Sequence, residues 1–75
     1  MNKNQLNLDR NGRRIRTGSI VHWHDEAGKD ENGNDIEFTV VGEEVFDKGY
    51  FNIAFADEKY PERWAWHEEL TVIQH

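Results

Sequence analysis

The stretch Leu8-Asp9-Arg10-Asn11-Gly12-Arg13-Arg14-Ile15-Arg16-Thr17-Gly18-Ser19-Ile20-Val21-His22-Trp23 decides the fold. Asn11-Gly12 is a strong local hairpin signal, because a tight two-residue turn needs positive φ at both central positions and these residue types tolerate it. Gly18 lets the backbone turn where a side chain would clash. Ile20-Val21 then begins an apolar strand. A hairpin, a kink and a strand in such close succession read as the opening of a small β-barrel.

Working outward, Leu6 and Leu8 alternate with polar neighbours, so a short strand leads into the turn and residues 13–16 return with Ile15 inward. Ile20 to His24 forms the next strand. Asp25 to Asp35 carries five acids, two glycines and no large apolar side chain, and is expected to be an exposed, mobile loop. Ile36 to Val40 alternates at period two, and Gly42 marks a bend or bulge. Val45 and Phe46 continue towards a turn at Asp47-Lys48-Gly49. Tyr50 to Ala56 is the clearest strand, with Phe51, Ile53 and Phe55 on one face. Pro61 forbids pairing after the turn that starts at Asp57. Arg63 to His67 is a further strand, Glu68-Glu69-Leu70 one tight helical turn, and Thr71 to Ile73 closes the chain. Five or six short strands at this spacing predict an all-β barrel or small sandwich, one domain over residues 1–75.

A chain of 75 residues has a thin core. Without cysteine it has neither a disulfide nor a thiolate zinc site, so nine aromatic residues must supply much of the burial. No apolar leader or bilayer-length run is present, which predicts a cytoplasmic protein with no membrane partner. The net charge of −6 is divided unevenly, with +4 in residues 1–18 and −10 in residues 19–75. An acidic body repels nucleic-acid phosphates, whereas the basic hairpin can touch them locally. Solubility of an exposed turn accounts for the same arginines.

The order Asp-x-Asn-Gly, Ile-x-x-Gly-x-Ile-Val, further strands, then Glu68-Glu69-Leu70-Thr71-Val72-Ile73 resembles SH3-like barrels. The segment Asp9 to Trp23 resembles the opening of small phage and plasmid proteins of the YopX type, with Ser19 where those often carry aspartate. The resemblance implies an SH3-like five- to six-stranded barrel with one short helical turn before the last strand, and an origin in a mobile element. Such barrels host many kinds of binder, so the likeness alone selects no function.

Catalysis has little support. Ser19 lacks a nucleophile elbow, and the neighbours Glu43 and Glu44 point to opposite faces of a strand rather than sharing a proton. No phosphate-cradling glycine loop is present. His22 and His24 share a face and, with His67, Asp25 or Glu26, have metal-ligand spacing, but a solvent face opposite Val21 and Trp23 explains them equally and no metal site is assigned. The segment Asp30–Asp35 fails as a calcium loop, because Asp35 and Val41 stand where glycine and a bidentate glutamate belong, and it reads as a mobile hairpin tip at Asn32-Gly33. No cofactor is expected.

Trp64-Ala65-Trp66 remains. Two indoles at i and i+2 share a face, with Trp23, Tyr50 or Tyr60 as neighbours. They are either core or a platform rimmed by Glu62, Glu68 and Glu69. The favoured expectation is a noncatalytic protein-interaction module that holds a basic or proline-rich segment through Trp23, Tyr60, Trp64, Trp66, Glu62 and Glu68. The alternative is a nucleic-acid module that uses Arg10, Arg13, Arg14 and Arg16 on phosphates. A third is a dimerisation domain pairing across an edge at Leu6–Leu8.

Overall fold

The computed structural model describes residues 6–42, 48–55 and 63–74. The chain is all-β: strands β1 (Ile20–Trp23), β2 (Phe38–Gly42), β3 (Tyr50–Phe55), β4 (Arg63–Trp66) and β5 (Leu70–Gln74). They form one antiparallel sheet in the order β4-β3-β2-β1-β5. The two outer strands do not pair with each other, so among the described residues the sheet is open. Helical structure in the named elements is limited to the 3-10 turns Glu26–Gly28 and His67–Glu69.

Period-two alternation builds the core. Val21 and Trp23 from β1, Phe38 and Val40 from β2, Phe51 and Ile53 from β3, Ala65 from β4, and Leu70 and Val72 from β5 are all buried on one face. Ile15 joins them from the N-terminal hairpin, and Ile36 and Phe55 pack at the margin. Phe38 lies between Trp23, met edge-on at 5.9 Å, and Phe55, stacked at 5.2 Å. These aromatic contacts add to what area burial alone provides. The bend expected at Gly42 is present as a register shift between Val40 and Gly42 opposite β3.

The Asn11-Gly12 turn forms, but as a different type from the one expected. Among the described residues only glycines have positive φ, and Asn11 does not. The Asp9 carbonyl accepts from Gly12 N–H at 3.0 Å and Asp9 N–H donates to the Arg13 carbonyl at 2.7 Å. Gly12 has φ +84°. This is a type I turn closed by a glycine bulge. Asp9 selects it: its Oδ1 accepts from the N–H groups of Asn11 and Arg13, both at 2.8 Å. Pairing in this hairpin is a single bridge, Leu8 to Arg14, rather than two strands.

The segment Asp25–Asp35 is exposed as expected, Gly28 apart, and turns at Asn32-Gly33, but it is held by defined caps. Asp25 caps the 3-10 turn by accepting from Ala27 N–H at 2.9 Å. Asp30-Glu31-Asn32-Gly33-Asn34 then repeats the first turn bond for bond. Asp30 Oδ1 accepts from the N–H groups of Asn32 (2.8 Å) and Asn34 (2.9 Å), with Gly33 at φ +83°. Two of the five acids, Asp25 and Asp30, are turn caps. β2 accordingly starts at Phe38, two residues later than expected.

Candidate binding surface

The outer face of β4 carries the aromatic residues. Ala65 is fully buried, so Trp64 and Trp66 on either side of it point outward. Trp64 is 56% exposed and Tyr50, across the sheet, 46%. Tyr50 pairs with Trp66, and Asn52 with Trp64. His67 N–H donates to the Gly49 carbonyl at 2.8 Å, which makes 49/67 a hydrogen-bonded pair and, by alternation, 50/66 and 52/64 non-bonded ones. Side chains lie closest at non-bonded pairs, and the Tyr50 and Trp66 rings meet edge-to-face at 4.9 Å.

Gly49 sets the position of Trp66. A Cβ there would lie 2.7 Å from Trp66 Cζ3 and 3.1 Å from His67 Cδ2, at a φ of +83°. Only glycine lets the indole settle this low over the start of β3. Trp66 Nε1 donates to Glu68 Oε1 at 3.4 Å, and Trp66 N–H to Glu69 Oε1 at 3.3 Å. Tyr50, Trp64, Trp66 and Glu68 thus share one region.

Trp23, expected on the same face, is not there. It is 8% exposed, belongs to the core, and donates from Nε1 to Glu69 Oε1 at 3.3 Å. Its place beside Val21 in the alternation turns it inward. Tyr60 and Glu62 lie outside the described residues, as do Glu43 and Glu44.

The arginines of the hairpin, Arg10, Arg13, Arg14 and Arg16, are all exposed. The hairpin that carries them is docked on β5. Arg10 N–H donates to the Leu70 carbonyl at 3.0 Å, Val72 N–H to Asp9 Oδ2 at 2.7 Å, and Arg13 Nη1 to the Val72 carbonyl at 3.4 Å. Asp9, 4% exposed, thus accepts three backbone N–H groups and joins the turn to the last strand. Sequence reading missed this role, since nothing local to Asp9 reports Val72.

Between hairpin and sheet lies a cleft of about 440 Å³, lined by Leu6, Leu8, Arg10, Trp66, His67 and Glu68 among others. His67 is buried, with Nδ1 2.8 Å from the Leu8 carbonyl and its ring 4.6 Å from that of Trp66. The Nδ1–H donates there, because a carbonyl can only accept.

His67 is therefore committed elsewhere than beside His22 and His24. His24 Nε2 lies 2.7 Å from Thr71 Oγ1, and His22 Nδ1 is 3.7 Å from Asp35 Oδ2. Burial, and then the Arg10 charge, hold the His24 pKa below its ordinary value. Asp35 is held low first by the hydrogen bond from Lys29. Among the described residues no three His, Asp or Glu side chains converge in a way that would hold a metal ion. No helix among them is long and apolar enough to cross a membrane.

No family model, curated protein or solved structure matches this chain.

Proposed function

We propose that the chain is a noncatalytic protein-interaction module, an SH3-like barrel that takes a basic or proline-rich segment on the face formed by Tyr50, Trp64, Trp66 and Glu68. The β1-to-β4 meander, the return of β5 beside β1, and the 3-10 turn ahead of β5 support the SH3-like reading. One observation carries the binding reading: an indole 56% exposed on a domain whose core is already filled by other residues. An exposed aromatic beside a carboxylate attracts a cation, worth about 0.5–1 kcal/mol at an open site and more when water is excluded. The rigid seat of Trp66 lowers the ordering cost of binding.

Peptide titrations followed by indole fluorescence test the reading. Lysine-rich and proline-rich peptides should shift the emission, and Trp64→Ala should abolish the shift while the fold persists. Unchanged affinity in Trp64→Ala and Trp66→Ala would end it.

A second reading rests on the four exposed arginines of the docked hairpin, which suit phosphate contacts. It predicts oligonucleotide binding that weakens steeply with salt, and chemical-shift changes confined to Arg10–Arg16. The −10 body works against it.

A further inference from the structure

The two edges of this sheet are treated in opposite ways. In β5, Leu70 and Val72 stand at non-bonded positions opposite Trp23 and Val21, because His24 N–H already donates to the Glu69 carbonyl at 2.7 Å and the pattern alternates from there. Their backbone groups therefore point off the sheet. Leu70 N–H closes the 3-10 turn on the His67 carbonyl, and the hairpin meets the other three: Leu70 C=O by Arg10 N–H, Val72 N–H by the Asp9 carboxylate, Val72 C=O by the Arg13 guanidinium. That edge is closed to further strands.

At β4 the same alternation aims the backbone of Trp64 and Trp66 away from β3. Trp66 N–H is taken by Glu69. Trp64 N–H and C=O have no hydrogen-bond partner among the described residues. Proteins blunt exposed strand edges with charge, proline or cover. Here a donor–acceptor pair that no described residue covers is flanked by two outward indoles.

The geometry points to strand addition at this edge: an extended segment with lysine or arginine at alternate positions pairs antiparallel with β4, exchanging two hydrogen bonds with Trp64. This rests on the protein-interaction reading and specifies how the partner is held. In a hydrogen-bonded pair the two opposed side chains project from the same face. The residue opposite Trp64 therefore lies beside its indole, and the residue two positions before it stands opposite Trp66, towards Glu68. A cation at those alternate positions meets an aromatic surface and a carboxylate within the stretch 19–75 that carries −10. That charge also opposes the competing occupant, a second copy of the chain paired β4 to β4. Head-to-tail pairing of β4 with another copy's β5 is prevented by the hairpin.

The test uses the full chain, isotope-labelled, and a capped heptapeptide alternating lysine and threonine. Two further versions carry N-methyl groups on every lysine amide or on every threonine amide. If the lysines pair with Trp64, methylating their amides removes the donor to its carbonyl and should weaken binding about tenfold or more. Methylated threonine amides face away and should leave affinity within about twofold. Exchange of the Trp64 amide with solvent should slow on binding of the unmodified peptide.

Binding without that alternation, and with no protection of the Trp64 amide, overturns strand addition but leaves the aromatic face as the docking site. Absence of any binding at millimolar peptide overturns both. A protected Trp64 amide in the free protein, with a doubled mass by light scattering, assigns the edge to a second copy and overturns the inference.

Discussion

Asp9 and Asp30 stand at the head of two turns with the same internal bonds, so replacing each with asparagine isolates the one bond they do not share. Asparagine keeps the shape but has a single acceptor oxygen. At Asp9 that oxygen can serve the N–H groups of Asn11 and Arg13, at 2.8 Å each, which aims the amide NH2 at Val72 N–H, 2.7 Å away. Flipping the amide exchanges one lost acceptor for two. Val72 is 1% exposed, so water cannot substitute. Losing a charge-assisted bond and stranding a buried donor costs about 2–4 kcal/mol. A domain of this size has a stability of roughly 4–11 kcal/mol, and its melting temperature falls by about 4–8 °C per kcal/mol. Asp9→Asn should therefore lower Tm by about 10–30 °C. Asp30→Asn, in an exposed turn without a strand to hold, should cost less than about 1 kcal/mol. Thermal melts followed by circular dichroism measure both. Equal shifts, or a larger one at Asp30, would refute the assignment of Asp9 as the clasp between hairpin and last strand.

Gly49→Ala places a methyl 2.7 Å from Trp66 at a φ of +83°; it should destabilise by about 2–3 kcal/mol in denaturant melts and alter the near-UV circular dichroism of the Tyr50–Trp66 pair. Trp64→Ala should leave Tm within a few degrees, whereas Trp23→Ala, at a site 8% exposed, should cost about 3–5 kcal/mol. The imidazole of His24 should titrate below 6.5 by NMR, and Arg10→Gln should bring it nearer that value. Because the folded state favours neutral His24, its contribution is intact above pH 6.5 and declines as pH falls from there through the lower folded value. Denaturant melts at successive pH values should show that decline, and His24→Gln should flatten it.

The strands were legible wherever burial alternates. Phe51, Ile53 and Phe55 announced the inner face of β3, and Gly42 announced its bulge opposite. Turn type was not, because a hairpin rule centred on Asn11-Gly12 ignores the residue two positions before it: the Asp9 side chain caps two N–H groups and converts the turn. The same oversight hid the order in Asp25–Asp35. In the candidate site, the shared face of Trp64 and Trp66 could be read from spacing, but not which side of the sheet is solvent. Ala65 held that information, since a small residue between two indoles fits the crowded inner side. Trp23 was misplaced because alternation relates it to Val21 and says nothing of β4. The links from Asp9 to Val72 and from Leu8 to His67 span 63 and 59 residues, beyond the reach of any local pattern.

Those two links bear on how the chain is made. Leu8 and Asp9 precede all five strands, yet the groups that receive them, His67 Nδ1 and Val72 N–H, belong to the last 3-10 turn and the last strand. A nascent chain halted before Val72 leaves Oδ2 of Asp9 without the strand it holds. Early pairing of β1 to β3 is free to form, but closure waits for β5 to be made and then joins residues 63 apart in sequence, a slow, non-local step. Until it happens the β5 side of the sheet is uncapped. The interval between the synthesis of β5 and the docking of the hairpin is when this domain is most exposed to aggregation and to chaperones.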